Sequence, residues 1–273
     1  MTLEELRRKK RELRLTSEMI AEASGVPLGT VQKLFGGTTK APRKRTVEAV
    51  EKALYLEELR QNAGVSRAVL SAGQVGEGAV PYPSAGEGTR KYTISGYYAL
   101  PEEQRAELID GIFYDMSTPA YIHQKILGLL HLLFTECTAA HGEDCEVCIS
   151  PCDVRLDQDL FTMVQPDLMV LCRPIDLHAV RLEGAPDLVL EILSPSTRAK
   201  DQLLKLYKYQ KACVREYWIV DPEYRTVTVH FFEEEAYHPV QYGFGDVIPV
   251  GISGGTCAID FSRVLEKIKG YYE

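Results

Sequence analysis

Short apolar runs in the second half of the chain limit its fold more than any other feature. They are bounded by polar or turn-forming residues and are too short for independent helices, which is the pattern of buried strands. Their sequences are VCISPCDVRL, PDLMVLC, DLVLEIL, EYWIVDP and TVTVHFF. An Asp110-Gly111 pair between two further strand-like runs predicts a hairpin turn. The sequence therefore predicts a sheet.

Two helices accompany these strands. One is AYIHQKILGLLHLLF, with apolar residues at helical spacing, and the other is TRAKDQLLKLYKYQKACV, directly before EYWIVDP. The residues of the first helix that are expected to face the core are Ile122, Ile126, Leu129, Leu130 and Leu133. An α/β (α+β) fold, in which a mixed sheet is flanked by helices, accounts for all of these elements.

A segment rich in Gly, Ser, Ala and Pro divides the chain. From about Asn62 to Gly88 it has no sustained hydrophobic period, as expected of a linker. We therefore expect a helical domain over 1–60, a flexible linker over 61–89 and the α/β domain over 90–273.

The N-terminal part predicts a series of short helices. A surface helix over 3–14 precedes a helix with Ser17 as its N-cap and Gly25 as its end. A helix over 28–35 follows, and the last helix is RKRTVEAVEKALYLEEL. This succession resembles the repressor-type helix-turn-helix fold, in which the helix over 28–35 would be the recognition helix.

That resemblance implies reading positions on the recognition helix at Leu28, Gly29, Thr30, Gln32 and Lys33. Few of these groups contact base edges strongly, so a module that docks a protein or oligomerises stays as the alternative. The charge differs between the two parts. Residues 1–56 carry 12 Lys and Arg against 7 Asp and Glu, whereas the remainder carries 19 against 32. We therefore expect the two parts to interact differently with polyanions.

Signals for export and for membrane insertion are missing from the sequence. The first residues contain no apolar core of a secretory signal, and no apolar stretch approaches the roughly 18 residues of a membrane span. We therefore expect a cytoplasmic protein with no membrane segment.

The seven cysteines are odd in number and lie in strand-like or helical runs. In a reducing compartment this favours free buried thiols over disulfides. Cys145, Cys148 and Cys152 have a spacing that suggests a metal, but no fourth ligand follows at ligand spacing and the segment is typical of a strand.

Carboxylates at the ends or in the interiors of apolar strands mark the candidate site. Burying such a group is costly unless it is paired, hydrogen-bonded or metal-bound. Asp187 and Glu191 share one strand face, but four residues of strand separate their Cα atoms by roughly 13 Å, too far to share an ion. Asp167 begins another strand and would lie beside Glu191 if the two strands pair. We therefore favour Asp167 and interpret Asp187 as a strand-entry residue.

Three segments closely resemble the Uma2 family of restriction-endonuclease-like proteins in the PD-(D/E)XK nuclease superfamily. They are YTISGYYALPEEQRAELIDGIFYDMS, QPDLMVLC and PDLVLEILSPSTRAKDQLLKLYKYQKACVREYWIVDP. The most specific piece is EILSPSTRAKDQLLKLYKY with EYWIVDP after it. The resemblance covers most of the chain from Tyr92 to Phe232 and implies a metal-dependent endonuclease whose partner is DNA.

The resemblance also implies residue roles. Asp167 and Glu191 would bind Mg²⁺, with Mn²⁺ as a substitute, and Glu107 would be a further acidic residue of the catalytic set. The superfamily lysine would stand where this chain has Leu193, so the resemblance places it on the following helix, at Lys205.

Further residues are expected near this site. His123 matches a histidine usual in the family and would line the site or be structural. Ser194 and Ser196, in SPSTR, belong to a segment that would hold a phosphate or cap the next helix.

The chemistry of these groups fits phosphodiester hydrolysis. Carboxylates are hard oxygen ligands suited to Mg²⁺, which polarises a phosphoryl group and activates a bound water. A lysine nearby stabilises the developing charge. We prefer Lys205 because Asp201, one turn earlier, can pair with it. Lys200 would lie in the first turn, where a cation opposes the helix dipole, and Lys208 is expected to be solvated.

Two functions of different kinds are compatible with the sequence. The first is a Mg²⁺-dependent DNA endonuclease that its N-terminal module targets to DNA, with a homodimer as one arrangement. The second is a regulator that binds DNA or docks a protein through its N-terminal module and does not cleave. The set of Asp167, Glu191 and Lys205 favours the first function, and the weak reading positions of the recognition helix keep the second open. The excess of acidic residues after residue 56 also counts against phosphate binding.

Overall fold

The computed structural model describes residues 2–37, 42–62, 92–101, 103–140, 145–156, 160–176, 178–198, 200–232 and 239–272. The chain divides into two compact units, Met1–Ser71 and Ala72–Glu273. Of the expected linker over 61–89, residues 61 and 62 are the last two of a helix. The rest of that segment lies outside the described residues.

The first unit is helical over its described residues. Its helices are α1 Leu3–Glu12, α2 Ser17–Ser24, α3 Leu28–Phe35 and α4 Lys44–Asn62. Gly25 ends α2 in the left-handed conformation, as predicted. The expected N-cap at Ser17 is wrong by one residue. Thr16 has the extended backbone of a cap, and its Oγ1 accepts a hydrogen bond from the N–H of Met19 at 3.2 Å.

One face of α3 packs into the core of this unit and the other faces solvent. Val31 and Leu34 are buried. The five predicted reading positions, residues 28–30, 32 and 33, are all exposed. The helical spacing of the apolar residues accounts for this division.

The first described elements of the second unit are helix α5, Ile94–Tyr97, and a hairpin of β1, Ala106–Ile109, and β2, Ile112–Asp115. The turn is Asp110-Gly111, as predicted. Both residues have positive φ, 53° and 83°, which a two-residue hairpin turn of this kind requires. The hairpin carries Glu107 into the site.

A six-stranded mixed sheet forms the centre of the unit. Its strands are β3 Glu146–Ile149, β5 Leu168–Leu171, β7 Leu188–Ile192, β8 Glu216–Asp221, β9 Thr226–Phe231 and β10 Val240–Gly243. Their order in the sheet is β10-β9-β8-β7-β5-β3. Strands β7 and β8 are parallel, and the other neighbours are antiparallel. The predicted mixed sheet is confirmed.

Shorter strands pair outside this sheet. They are β4 Val154–Arg155 with β6 Leu182–Glu183, and β11 Val247–Pro249 with β12 Ala258–Asp260. The predicted strand VCISPCDVRL is therefore two strands, β3 and β4. Residues 150–153 separate them, because the chain leaves the large sheet after Ile149.

Helices cover the sheet. The long helix α6, Tyr121–Ala140, packs on it through the residues predicted to face the core. A π-helix over Lys200–Lys205 continues into α7, Leu206–Lys211, and connects β7 to β8. The chain ends with 3-10 turns Gly251–Ser253 and Lys269–Tyr271 on either side of α8, Ser262–Ile268. The buried Trp218 ring lies 5.4 Å from that of Phe134 on α6. Among the described residues, no helix is long and apolar enough to cross a membrane.

The expectation that all cysteines are free thiols is wrong. Disulfides join Cys137 to Cys257 and Cys145 to Cys172. Cys145 and Cys172 continue the register of β3 and β5 by one step, which brings their Cα atoms within 4.1 Å. The free cysteines of the described residues are Cys148, Cys152 and Cys213. Pairing across 120 residues has no signal in local spacing.

Two glycines of this unit should respond in opposite directions to replacement by alanine. Gly111→Ala places a Cβ at a φ of 83° and should lower the free energy of unfolding by about 1 to 2 kcal/mol. Gly128 lies exposed inside α6 with open space around it, so Gly128→Ala should raise stability by about 0.5 to 1 kcal/mol. Urea unfolding of both variants measures this. A Gly111→Ala protein as stable as the wild type would contradict the turn.

Candidate active site

Strand pairing brings Asp167 and Glu191 together. Strands β5 and β7 are antiparallel with Leu168 opposite Leu190, so one further step puts Asp167 opposite Glu191. The Oδ2 of Asp167 accepts a hydrogen bond from the N–H of Ile192 at 2.8 Å. The condition set for Asp167 from the sequence, that the two strands pair, is met.

Asp187 lies at the other end of the same strand. Its Oδ2 accepts a hydrogen bond from the N–H of Cys172 at 2.8 Å, and its Oδ1 lies 3.5 Å from Arg215. These contacts fasten the entry of β7, as expected of a strand-entry residue, and keep Asp187 out of the site.

Glu191 is buried within a strand whose five residues are all buried. Its Oε1 accepts hydrogen bonds from Lys205 Nζ and from Tyr209 Oη, each at 2.7 Å. Burial raises the pKa of Glu191 well above its usual value. Lys205 opposes this rise, while Asp201, Asp167 and Glu107 add to it. Burial is the largest cause of the raised pKa, and the neighbouring carboxylates come after it.

Glu107 comes from the hairpin and is fully buried. Its Oε2 lies 2.7 Å from Lys200 Nζ, and its Oε1 lies 2.8 Å from Lys205 Nζ. The N–H of Gln165 also donates to Oε1 at 3.0 Å. Burial alone would raise the pKa of Glu107, but the two lysines outweigh it and lower the pKa to about 2. Glu107 is therefore ionised in the folded protein.

Lys205 lies among three carboxylates. Besides Glu107 and Glu191 it faces Asp201 at 3.7 Å, and its side chain is only 3% exposed. Burial lowers the pKa of Lys205, and the three carboxylates raise it to well above its usual value. The predicted pairing of Asp201 with Lys205 is present. Burial likewise raises the pKa of Asp201, against the effect of the lysines.

The other two lysines differ from their sequence-based interpretation. The expectation that Lys208 is solvated is wrong, because its side chain is 6% exposed and its Nζ binds Asp110 at 2.9 Å. Lys200 does lie at the start of the helical segment, but it binds Glu107 within the site. Over Lys200–Lys205 the segment is a π-helix and not the ordinary helix that the sequence predicts.

His123 extends from α6 to the site. Its Nε2 lies 3.1 Å from Oδ2 of Asp167, and its ring is mostly buried. Its Nδ1 is buried without a hydrogen-bonding partner among the described residues. His123 is thus placed to orient the Asp167 carboxylate.

The two serines occupy the turn between β7 and the π-helix. Ser194 and Thr197 exchange hydrogen bonds between their backbone N–H groups and hydroxyls, each at 3.2 Å. This contact closes the turn. Ser196 is exposed, and its hydroxyl lies 3.2 Å from that of Ser117 and 3.1 Å from that of Ser194.

Tyr209 is a further residue of the site. Its ring is buried, and its hydroxyl donates a hydrogen bond to Glu191. Asp201, Lys205 and Tyr209 recur every four residues. From the sequence, this spacing predicts that the three polar side chains lie along one face of the helical segment.

The donor set fits a divalent cation. Glu107, Glu191 and Asp201 contact two lysines, Lys200 and Lys205, and Asp167 adds a fourth carboxylate near Glu191, so carboxylates outnumber lysines. Among the described residues no group of three His, Cys, Asp or Glu is arranged to hold a metal. Mg²⁺ is ordinarily bound by one or two carboxylates together with water. Asp167 and Glu191, on neighbouring strands, suit that requirement.

Comparisons with known proteins agree with this architecture. A family model described as "Uma2: Putative restriction endonuclease" matches residues 94–258. Uncharacterised protein slr1290 of Synechocystis sp. is 34% identical over 115 residues, which are 41% of this chain and 58% of that relative. The match thus spans less than two thirds of the relative's length. No function is named for it.

A crystal structure from Anabaena variabilis, described as a "putative nuclease belonging to DUF820", has a similar fold. The TM-score is 0.54 with 19% sequence identity, and the match covers 64% of this chain and 97% of that one. At this identity the similarity shows the fold alone.

Removing the Lys205 charge should destabilise the unit. Lys205→Met leaves Glu107, Glu191 and Asp201 buried without their shared cation, which should cost about 3 to 5 kcal/mol in urea unfolding. Lys211→Met, an exposed lysine at the end of α7, is the control and should change stability by less than about 0.5 kcal/mol. Equal stability of the two variants would show that Lys205 does not hold the cluster.

Proposed function

Because the chain belongs to the Uma2 family, we propose that its second unit is a metal-dependent endonuclease that hydrolyses DNA phosphodiester bonds. The observation that supports this most is the opposition of Asp167 and Glu191 on paired strands, with Lys205 bound to Glu191. A strand end with only a structural role would need neither these carboxylates nor the lysine.

Asp167 and Glu191 would hold Mg²⁺, or Mn²⁺ in its place. The ion would polarise the phosphoryl group of the substrate and lower the pKa of a bound water. Lys205 donates a hydrogen bond to Glu191 and opposes the rise in the pKa of this carboxylate that burial causes. His123 orients Asp167 through its Nε2. Tyr209, four residues after Lys205, donates a hydrogen bond to the same oxygen of Glu191, Oε1.

Glu107 acts as a positioning residue in this proposal. Both of its oxygens are engaged by lysines, and it is fully buried, so its carboxylate holds cations and does not face a substrate. Glu107 thereby holds two positively charged side chains in place, and positive charge stabilises a reacting phosphate.

The first unit would target the nuclease to DNA. This proposal rests on the four helices, on the exposed face of α3 and on the basic balance of residues 1–56. Thr30, Gln32 and Lys33 provide polar groups on that face. The phosphate-dependent part of such binding would be strongly salt-dependent.

A regulator that does not cleave is the second candidate. The acidic balance after residue 56 and the enclosure of Lys205 by three carboxylates favour it. A protein partner for the first unit belongs to the same candidate. Cleavage assays separate the two functions.

We expect the wild-type protein to cleave plasmid and single-stranded DNA when Mg²⁺ is present. Glu191→Gln should abolish this cleavage, because an amide is a poor ligand for the ion. Asp187→Asn is the matched control, since it removes a carboxylate from the other end of the same strand. We expect it to cleave at the wild-type rate. Cleavage by Glu191→Gln, or its absence from the wild type with Mg²⁺ and with Mn²⁺, would contradict the proposed activity.

Lys33→Ala should weaken duplex binding by the full chain and reduce the slope of log K against log salt by about 0.9, the value for one phosphate contact. Lys44→Ala removes the same charge from α4, where the lysine pairs with Glu48 and is 91% exposed. Fluorescence anisotropy at several salt concentrations compares them. Equal slopes for the two variants would favour protein docking by α3.

A further inference from the structure

Two lysines share the carboxylate of Glu107. Lys200 Nζ lies 2.7 Å from Oε2, and Lys205 Nζ lies 2.8 Å from Oε1. Each lysine thus binds a different oxygen of the same carboxylate, so Glu107 fixes the position of both ammonium groups.

The π-helix makes this double contact geometrically possible. Residues five apart in an α-helix are rotated by about 140° from each other, because each residue turns by about 100°. A π-helix closes its hydrogen bonds from i to i+5, so residues five apart lie nearly one above the other. Lys200 and Lys205, the first and last residues of the π-helix, therefore point to the same side.

The two ammonium groups differ in the donors that they have left. An ammonium has three N–H donors. Lys205 lies 2.8 Å from Glu107 and 2.7 Å from Glu191, both at hydrogen-bonding distance, and 3.7 Å from Asp201, an ion-pair distance. Its side chain is 3% exposed, so these carboxylates enclose it. Lys200 contacts one carboxylate oxygen, and its side chain is 13% exposed. A phosphate oxygen can reach Lys200, whereas at Lys205 it would have to displace a carboxylate.

We propose that Lys200 is the cation that contacts the scissile phosphate, while Lys205 holds the carboxylates in place. This inference rests on the proposed phosphodiesterase function of the same site. Glu107 aims Lys200 through one donor and leaves its other donors for the phosphate. The role is that of a catalytic residue, since the ammonium touches the group that reacts.

The charge around the site gives this contact its importance. Glu191, Asp167, Asp201 and Glu107 all carry carboxylates, and the part of the chain after residue 56 has an acidic balance. A phosphodiester approaching these groups is repelled unless a cation stands at the accessible side. Lys200 provides that cation.

The experiment uses the full chain with Mg²⁺ and compares Lys200→Met, Lys200→Arg and Lys211→Met. The measured quantity is kcat/KM for duplex DNA as a function of salt. For Lys200→Met we expect a loss of about 100-fold, the scale for one transition-state charge partner. We also expect a salt slope of log kcat/KM that is shallower by about 0.9, because one phosphate contact is lost.

The two other variants make the result specific. Lys200→Arg keeps the charge and should recover much of the lost rate together with the salt slope. Lys211→Met loses the same charge at the exposed end of the helix and should behave as the wild type. A merely structural role of Lys200 would lower the rate through stability and leave the salt slope unchanged.

The outcomes separate this inference from the proposed function. If the wild type cleaves and Lys200→Met keeps the wild-type salt slope, the assignment of Lys200 is wrong and the nuclease stands. If the wild type cleaves no DNA, both ideas fall, because Lys200 then has no scissile phosphate to contact.

Discussion

The buried ammonium of Lys205 is the interaction on which the second unit depends. It joins the hairpin, through Glu107, to the central strand β7, through Glu191, and it also pairs with Asp201 of its own helical segment. Removing charges from water costs several kcal/mol per ion, so such a cluster persists only when each charge meets a partner. The site and the packing of these three elements therefore have the same origin.

The hairpin is attached to the helical segment by ionic contacts along its length. Glu107 on β1 binds Lys200 and Lys205, and Asp110 in the turn binds Lys208. The positive φ of Asp110 and Gly111 keeps the turn tight. Polar contacts of this kind specify one arrangement of the hairpin more narrowly than apolar packing, because each ammonium must reach a particular oxygen.

Local patterns in the sequence predicted much of this structure. The Asp110-Gly111 pair predicted the hairpin, and the apolar runs predicted the strands of the mixed sheet. The hypothesis that Asp167 lies beside Glu191 needed only antiparallel pairing of two strands. The π-helix could not be predicted in this way, since Leu203 and Leu206 fit ordinary helical spacing. The burial of Lys208 and the pairs of cysteines depend likewise on contacts across the fold, which short spacings do not encode.

A second hydrogen-bonded group connects Glu107 to the strand of Asp167. Gln165 donates its N–H to Glu107, and its side-chain amide donates to Asp153 at 2.8 Å and to Tyr97 at 3.0 Å. Tyr97 in turn donates to Asp153 at 2.7 Å. Gln165 stands two residues before Asp167, so these bonds fix the approach of the chain to β5. Glu107 therefore contacts the lysines on one side and the backbone leading to Asp167 on the other, and a displacement of the hairpin would alter the positions of both.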